Sequence, residues 1–182
     1  MKIKHRVQLV DLLEELNLGH LNTAEVGVAE GYFSFEIMQK TKTNHYLVDN
    51  WATIDNVTGD GNSEQSWHDK NYEDAKKRND KFGDRAIFLK GLSIDMAKEV
   101  PDNSLGLVYL DGAHYYSGVK SDLNVWFPKL VEGGIMAGHD YLNPAYGVKE
   151  AVHEFCAGKY DVNTIEENHV DDAGFYFIKK TL

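Results

Sequence analysis

The stretch Glu25-Val26-Gly27-Val28-Ala29-Glu30-Gly31, followed one strand–helix unit later by Tyr46-Leu47-Val48-Asp49, decides the fold. The first segment follows a short apolar run and opens a helical pattern. The second is an apolar run closed by an acid. Glycines in a strand-to-helix turn let backbone N–H groups approach a ligand at a helix N-terminus. An acid at the end of the next strand can accept both hydroxyls of a ribose. Together they imply a pocket for a nucleoside-like cofactor in an α/β fold. The turn lacks the three glycines of the dinucleotide fingerprint: Glu25 precedes Gly27, Ala29 sits in the middle, and Gly31 closes it. No lysine stands in it, which excludes a P-loop.

Outward from this point the pattern alternates. Apolar residues at helical spacing (Leu9, Leu12, Leu13, Leu16) predict a helix over 5–18. Strands are expected at 22–28, 45–48, 86–89, 105–110 and 135–138, the last after the Gly133-Gly134 break. Helices are expected at 32–40, 67–82, 94–100, 119–130 and 148–155, with Pro128 kinking or ending the fourth. The polar stretch 52–64, with Gly59-Asp60-Gly61-Asn62, reads as a loop. Two closing strands, 160–165 and 174–178, suggest an antiparallel pair at one edge of a doubly wound sheet.

At 182 residues, 42% hydrophobic and 26% charged, the chain reads as one soluble domain, 1–182. The basic N-terminus lacks an apolar h-region and no stretch is long enough to span a membrane. Cys156 is the single cysteine, so no internal disulfide forms, which fits a cytoplasmic protein. The sequon Asn56-Val57-Thr58 then has no role. A formal charge of −10 argues against nucleic acid as a partner and suits a cationic cofactor or a metal, as it also suits solubility. A homodimer is compatible with the sequence.

Two further motifs carry chemistry. Val108-Tyr109-Leu110-Asp111-Gly112-Ala113-His114 delivers Asp111 to the carboxyl end of a strand, where ligands bind in open α/β sheets. His114 follows, with a pKa suited to a base; the plainer reading of Asp111 is a turn or cap residue. Gly133 to Tyr141 ends a neighbouring strand and brings His139 and Asp140 to the same edge. Two carboxylates and an imidazole can hold a divalent cation, although His139 could simply pack. Asn143-Pro144-Ala145-Tyr146 reads as a turn. The acids of the stretch from Asn56 to Glu64 miss the EF-hand spacing. His5, His20, His45, His68, His153 and His169 read as surface or packing residues.

In this order, Glu25-Val26-Gly27-Val28, Tyr46-Leu47-Val48-Asp49-Asn50-Trp51, Leu110-Asp111-Gly112-Ala113-His114 and Gly138-His139-Asp140-Tyr141 resemble class I S-adenosylmethionine-dependent methyltransferases. The likeness is greatest to the small-molecule O-methyltransferase branch that includes the macrocin-type enzymes. The resemblance implies a Rossmann-like, seven-stranded, mostly parallel sheet with one antiparallel edge strand. It implies that Glu25, Gly27 and Gly31 hold the methionine part of the cofactor, that Asp49 holds the ribose and that Trp51 flanks the adenine. Gly91-Leu92-Ser93 matches the adenine-contacting segment, with Ser93 in the site. Asp111 falls near the cofactor amino group and the metal, His114 falls on the catalytic base, and His114 or Asp140 would take the acceptor's proton. Asp111, His139 and Asp140 are the implied ligands of a divalent cation such as magnesium or manganese. Two positions depart from the family pattern: Ala29 replaces a glycine, tolerable unless φ is positive, and His139 replaces an acid. The implied activity is O-methylation of a small hydroxylated acceptor, a sugar or phenol. The alternative is a protein that binds the cofactor without methyl transfer. The loop 52–64 and the helix with Trp67, His68 and Tyr72 are expected to lie over the acceptor.

Overall fold

The apolar run Leu105–Leu110 forms β4, and all of its residues are buried. A strand covered on both faces has no polar side to show to water, which is why its sequence does not alternate. β1 (Asn22–Val26) and β5 (Leu130–Gly138) flank it in parallel. β2 (His45–Asp49) and β3 (Ala86–Lys90) extend the parallel sheet beyond β1. At the other edge β7 (Gly174–Ile178) pairs antiparallel with both β5 and β6 (Asn163–Ile165). The order is β3-β2-β1-β4-β5-β7-β6 in this computed structural model, which describes residues 2–54, 60–167, 169 and 172–180. The expected antiparallel pair forms one edge, with β7 running against the other strands. The sequon Asn56-Val57-Thr58 lies outside the described residues.

Alternate β4 side chains feed two cores. Val108 and Leu110 join Val119, Leu123 and Trp126 of α5 (Tyr116–Trp126) and Val148, Ala151 and Val152 of α6 (Val148–Cys156). Leu107 and Tyr109 meet Leu9, Leu12 and Leu13 of α1 (Gln8–Glu15) and Phe33 and Ile37 of α2 (Tyr32–Lys40). A third cluster under α3 (Gln65–Asn79) joins Val28, Met38, Leu47, Trp51 and Ala75. Chain direction across the sheet reverses between β1 and β4. The connections that follow them therefore lead to opposite sides, and a ligand crevice opens beyond their carboxyl ends.

Several element limits differ from the sequence reading. β1 stops at Val26, because Gly27 already turns with φ 92°. The helix expected at 119–130 is α5 from Tyr116 to Trp126, then a 3-10 turn, Phe127–Lys129, that contains Pro128. Leu130 already belongs to β5. Gly133-Gly134 does not interrupt this strand but sits where its register to β4 shifts, between the Leu105↔Leu130 and Leu107↔Ile135 pairs. Both glycines are held by β7's C-terminal neighbour, Lys179, through backbone bonds of 2.8 and 2.9 Å. Such a shift absorbs extra residues that strict alternation cannot. The short helix expected at 94–100 is α4 (Ser93–Met96) followed by a 3-10 turn, Ala97–Glu99. The first closing strand is only Asn163–Ile165.

Gly138 shows how tightly the central strands close. A Cβ there would stand 2.6 Å from the Leu110 carbonyl oxygen and 2.6 Å from the Phe175 ring. Gly138→Ala should destabilise the protein by about 1–3 kcal/mol, the cost of overpacking against backbone. Urea unfolding checks this, and an unchanged midpoint would contradict the packing described.

Candidate active site

The turn after β1 is held by one carboxylate. Asp49 Oδ2 accepts the N–H groups of Val28 (2.8 Å) and Ala29 (2.9 Å), and Oδ1 accepts that of Trp51 (2.8 Å). Oδ2 is thus filled, and Oδ1 keeps room for one further donor such as a ribose hydroxyl. Ala29 adopts φ 46° and Trp51 φ 42°. The tolerance expected of alanine at position 29 is therefore corrected: the backbone there is left-handed, which costs a Cβ-bearing residue roughly 1–2 kcal/mol.

Two sequence assignments change in role. Trp51 is only 1% exposed. Its ring packs against Tyr72 and Phe88, and its indole N–H donates to the Ala29 carbonyl at 2.9 Å. It braces the turn from behind and, although it borders the cavity, exposes almost none of its ring there. Gly31 was expected to touch the cofactor, but it lies under α3. A Cβ there would meet Asn79 Nδ2 at 2.7 Å and Ala75 at 3.2 Å. Its φ of 75° starts α2, and its small size lets α3 dock.

Gly27 and Asp111 meet at the floor. A Cβ on Gly27 would stand 2.2 Å from the Asp111 carbonyl oxygen, and the Asp111 N–H donates to the Val26 carbonyl at 2.7 Å. The glycine turn and the acid after β4 are thereby one rigid piece. Beside them Glu25 is 2% exposed. Burial pushes its carboxyl up to about 8, against the Ser34 hydrogen bond and with Asp111 adding to the rise. Ser34 Oγ donates to Glu25 Oε2, His45 Nε2 lies 3.0 Å from that Oγ, and Thr23 Oγ1 lies 2.8 Å from His45 Nδ1. Burial lowers the His45 imidazole to about 3, so it stays neutral.

After β3, Ser93 Oγ donates to Asp122 Oδ1 at 2.5 Å and accepts from the Trp126 indole at 2.8 Å. Burial raises Asp122 to about 6 despite the Ser93 bond. Ser93 reaches the cavity wall as expected, together with Asp122, a residue on α5 that no sequence motif marks.

On the other side of Asp111 four titratable groups gather. His114 Nε2 lies 3.2 Å from Asp140 Oδ2 and 3.7 Å from Asp111 Oδ1. His139 Nδ1 lies 3.4 Å from Asp140 Oδ2 and 3.7 Å from Asp111 Oδ1. Pairing of Leu110 with Gly138 brings the two segments together, as the sequence reading required. Burial disfavours both imidazolium ions, yet the two acids outweigh it and raise His114 and His139 above the ordinary value. One donor atom each from Asp111, His139 and Asp140 lie within 4.8 Å of one another. His114 Nε2 is buried and makes no well-formed hydrogen bond. An orphaned nitrogen facing two carboxylates is an arrangement that a cation or a proton would complete. Asp140 itself has φ 55°, and its carbonyl accepts the Asn143 N–H at 3.2 Å.

A cavity of about 830 Å³, within the range of cofactor pockets, joins the glycine turn, Ser93, Asp111 and His114; His139 and Asp140 stand behind its wall. Glu25, Gly27, Asp49, Ser93, Asp111 and His114 line it; Trp67 and His68 of α3 stand on its wall, where the sequence reading put a cover. Among the described residues, the large apolar side chains left most exposed are Tyr32, Trp67, Leu92, Ile94, Tyr115 and Tyr146, and all six line this cavity. Tyr146 stacks on His114 at 4.8 Å and 27°. It comes from the turn at 143–146 and gave no sequence signal beyond its type. Arg6 was also missed. It reaches the cavity from the N-terminal segment, with Nη1 3.4 Å from Asp111 Oδ2.

No helix among the described residues is long and apolar enough to cross a membrane. The O-methyltransferase NovP has a similar fold: TM-score 0.69 at 20% identity, covering 97% of this chain and 80% of that one. TomG, an O-methyltransferase from Streptomyces achromogenes involved in tomaymycin synthesis and solved in complex with SAM, gives 0.66 at 12% identity, over 97% and 80% of the two chains. An uncharacterized protein of Sinorhizobium fredii, y4gI, is 24% identical over 116 residues, 64% of this chain, and the chain spans only 12% of that relative's length. A family model described as a methyltransferase domain matches residues 24–141, from β1 through the end of β5 and across Glu25, Asp49, Asp111, His114, His139 and Asp140. By that match the chain belongs to the methyltransferase-domain family.

Proposed function

We propose that this chain transfers a methyl group from S-adenosylmethionine to a hydroxyl oxygen of a small molecule such as a sugar or phenol. One observation carries the reading: the glycine turn and Asp111 are packed into one floor, with His114 standing beside it on the wall of the same cavity. When bound, the cofactor supplies a sulfonium methyl already activated toward an oxygen. The protein must then position the acceptor and take its proton, and positioning alone can contribute several kcal/mol, up to ~7–11 in the best cases.

His114 is the base in this reading. Its Nε2 faces Asp140 and Asp111, so a proton held there leaves Nδ1 as the basic nitrogen, and Asp140 fixes the ring from behind. Tyr146 stacked on the ring limits its rotation. The aromatic wall of Tyr32, Trp67, Tyr115 and Tyr146 suits the flat face of a phenol or the C–H face of a sugar. Asp111, His139 and Asp140 have the donor types and spacing for a divalent cation. Such an ion, when bound, supplies a charge that lowers the pKa of a coordinated hydroxyl.

Calorimetry should detect S-adenosylmethionine binding to the free protein. Asp49→Ala should weaken it by ~1.5–3 kcal/mol, the range for hydrogen bonds to a charged group, with loss of turn order adding to the effect. Tighter binding of NAD, or no binding, would sink the cofactor reading. Binding without transfer of labelled methyl to any sugar, phenol or amine would leave a cofactor-binding protein instead.

His114→Ala should leave cofactor binding nearly intact and lower turnover by ~10²–10⁴, the usual range for a general base. The neutral imidazole is the active form, and its pKa is raised by Asp111 and Asp140. Activity should therefore fall as pH drops through a value above that of free imidazole. Asp140→Asn removes one raising charge and should move that limb to lower pH; asparagine accepts the positive φ at this position. A pH–rate profile unmoved by Asp140→Asn would separate His114 from the proton step.

Chelation with EDTA should abolish turnover, and Asp140→Asn should raise the metal concentration that restores it. Full activity in a verified metal-free sample would leave Asp111 and Asp140 as partners of the two imidazoles alone.

A further inference from the structure

Among the described residues the cavity wall holds several acids (Glu25, Glu30, Asp49, Asp111 and Asp122) but only one lysine or arginine, Arg6. Its backbone is pinned outside the sheet. Ile3 is fully buried. Its carbonyl accepts the Glu166 N–H at 2.9 Å, and the Arg6 N–H donates to Glu167 Oε1 at 2.9 Å. Lys2 pairs with Glu166 at 2.5 Å. From this anchor the Arg6 side chain turns inward. Its guanidinium carbon lies 4.9 Å from the Phe33 ring centroid and 6.0 Å from that of Tyr109.

The guanidinium is poorly satisfied. Its contact with Asp111 Oδ2, at 3.4 Å, is long for a charge-assisted bond. Its Nε is buried with no hydrogen-bond partner. The rest of the side chain is about a quarter exposed and borders the cavity, so an anionic oxygen there would give the guanidinium the short bonds it lacks. A bare anion is disfavoured by the surrounding acids. A ligand carrying a carboxylate and an ammonium on one carbon is not: Arg6 presents donors to the first, and Asp111, at its side, presents an acceptor to the second.

We propose that Arg6 binds the α-carboxylate of the cofactor's amino-acid end, beside the Asp111 carboxylate already expected at its α-ammonium, so that the N-terminal segment completes the cofactor site. This rests on the cofactor reading given above. It also assigns a function to residues before β1, outside the stretch that the family model matches. The guanidinium fork reads a planar carboxylate with two parallel bonds, which a lysine cannot reproduce.

The test compares S-adenosylmethionine with its decarboxylated form, which keeps the sulfonium and the amine and lacks only the carboxylate. The wild-type protein should prefer the carboxylated ligand. In Arg6→Ala its affinity should fall by about 10- to 100-fold, the span of a hydrogen bond to a charged group. Affinity for the decarboxylated form should hold or rise, because a cation has been removed beside its amine. Arg6→Lys should recover only part of the preference. Equal weakening of both ligands would overturn the proposal and leave Arg6 a support for Asp111. Unchanged binding of both, with a raised KM for a carboxylated acceptor, would overturn it in favour of acceptor recognition. Failure of the wild-type protein to bind either ligand is a different outcome, and removes the cofactor reading together with this one.

Discussion

The site depends on the Asp49 carboxylate and the backbone N–H groups it gathers from Val28, Ala29 and Trp51. Two of those residues, Ala29 and Trp51, have left-handed backbones without being glycine. Each such residue costs roughly 1–2 kcal/mol. A hydrogen bond to a charged group returns about 1.5–3 kcal/mol, so the three bonds outweigh the two strained residues. The Trp51 indole then closes the circle on the Ala29 carbonyl. One acid at the end of β2 thus shapes the turn after β1, and both ends of the cofactor crevice share a single support.

The electrostatic character of the cavity follows from what β4 and β5 deliver to one edge. Asp111 divides its carboxylate: Oδ2 faces Arg6, and Oδ1 faces His114 and His139. With Asp49 and Asp122 also at the wall, the interior favours a ligand with positive charge. Both imidazoles are drawn toward their charged forms by the same acids. Protonation of the imidazoles is thus favoured on one side of Asp111, while on the other burial pushes the Glu25 carboxyl up to about 8.

Much of this was legible in the sequence because it rests on local pattern. β4 and α2 have the limits that apolar runs and helical spacing suggest, and Asp111, His114, His139 and Asp140 converge because consecutive parallel strands neighbour each other. What escaped depends on distant contacts. Nothing near Gly31 says that Asn79 will occupy the space beside it. The burial of Trp51 depends on Tyr72 and Phe88, and the register shift at Gly133-Gly134 depends on β4 and Lys179. Arg6 falls in the helix expected over 5–18, at a polar position of its period, but the helix begins only at Gln8. Arg6 reaches the site only because Glu166 and Glu167, far along the chain, hold the N-terminal segment in place.

The buried line from Glu25 through Ser34 and His45 to Thr23 has a direction. Ionised, Glu25 only accepts, so Ser34 gives it its single hydroxyl proton. Ser34 Oγ must then accept from His45, which fixes the imidazole as the Nε2–H tautomer and leaves Nδ1 to accept from Thr23. A carboxyl proton placed on Oε2 reverses every bond: Ser34 donates to Nε2, the ring proton moves to Nδ1, and Thr23 accepts. His45 lies on β2, behind the cavity wall, and never needs to charge. Its tautomer nonetheless records whether the acid at the cavity floor is ionised, and nitrogen chemical shifts of that one buried ring would read it without touching the site.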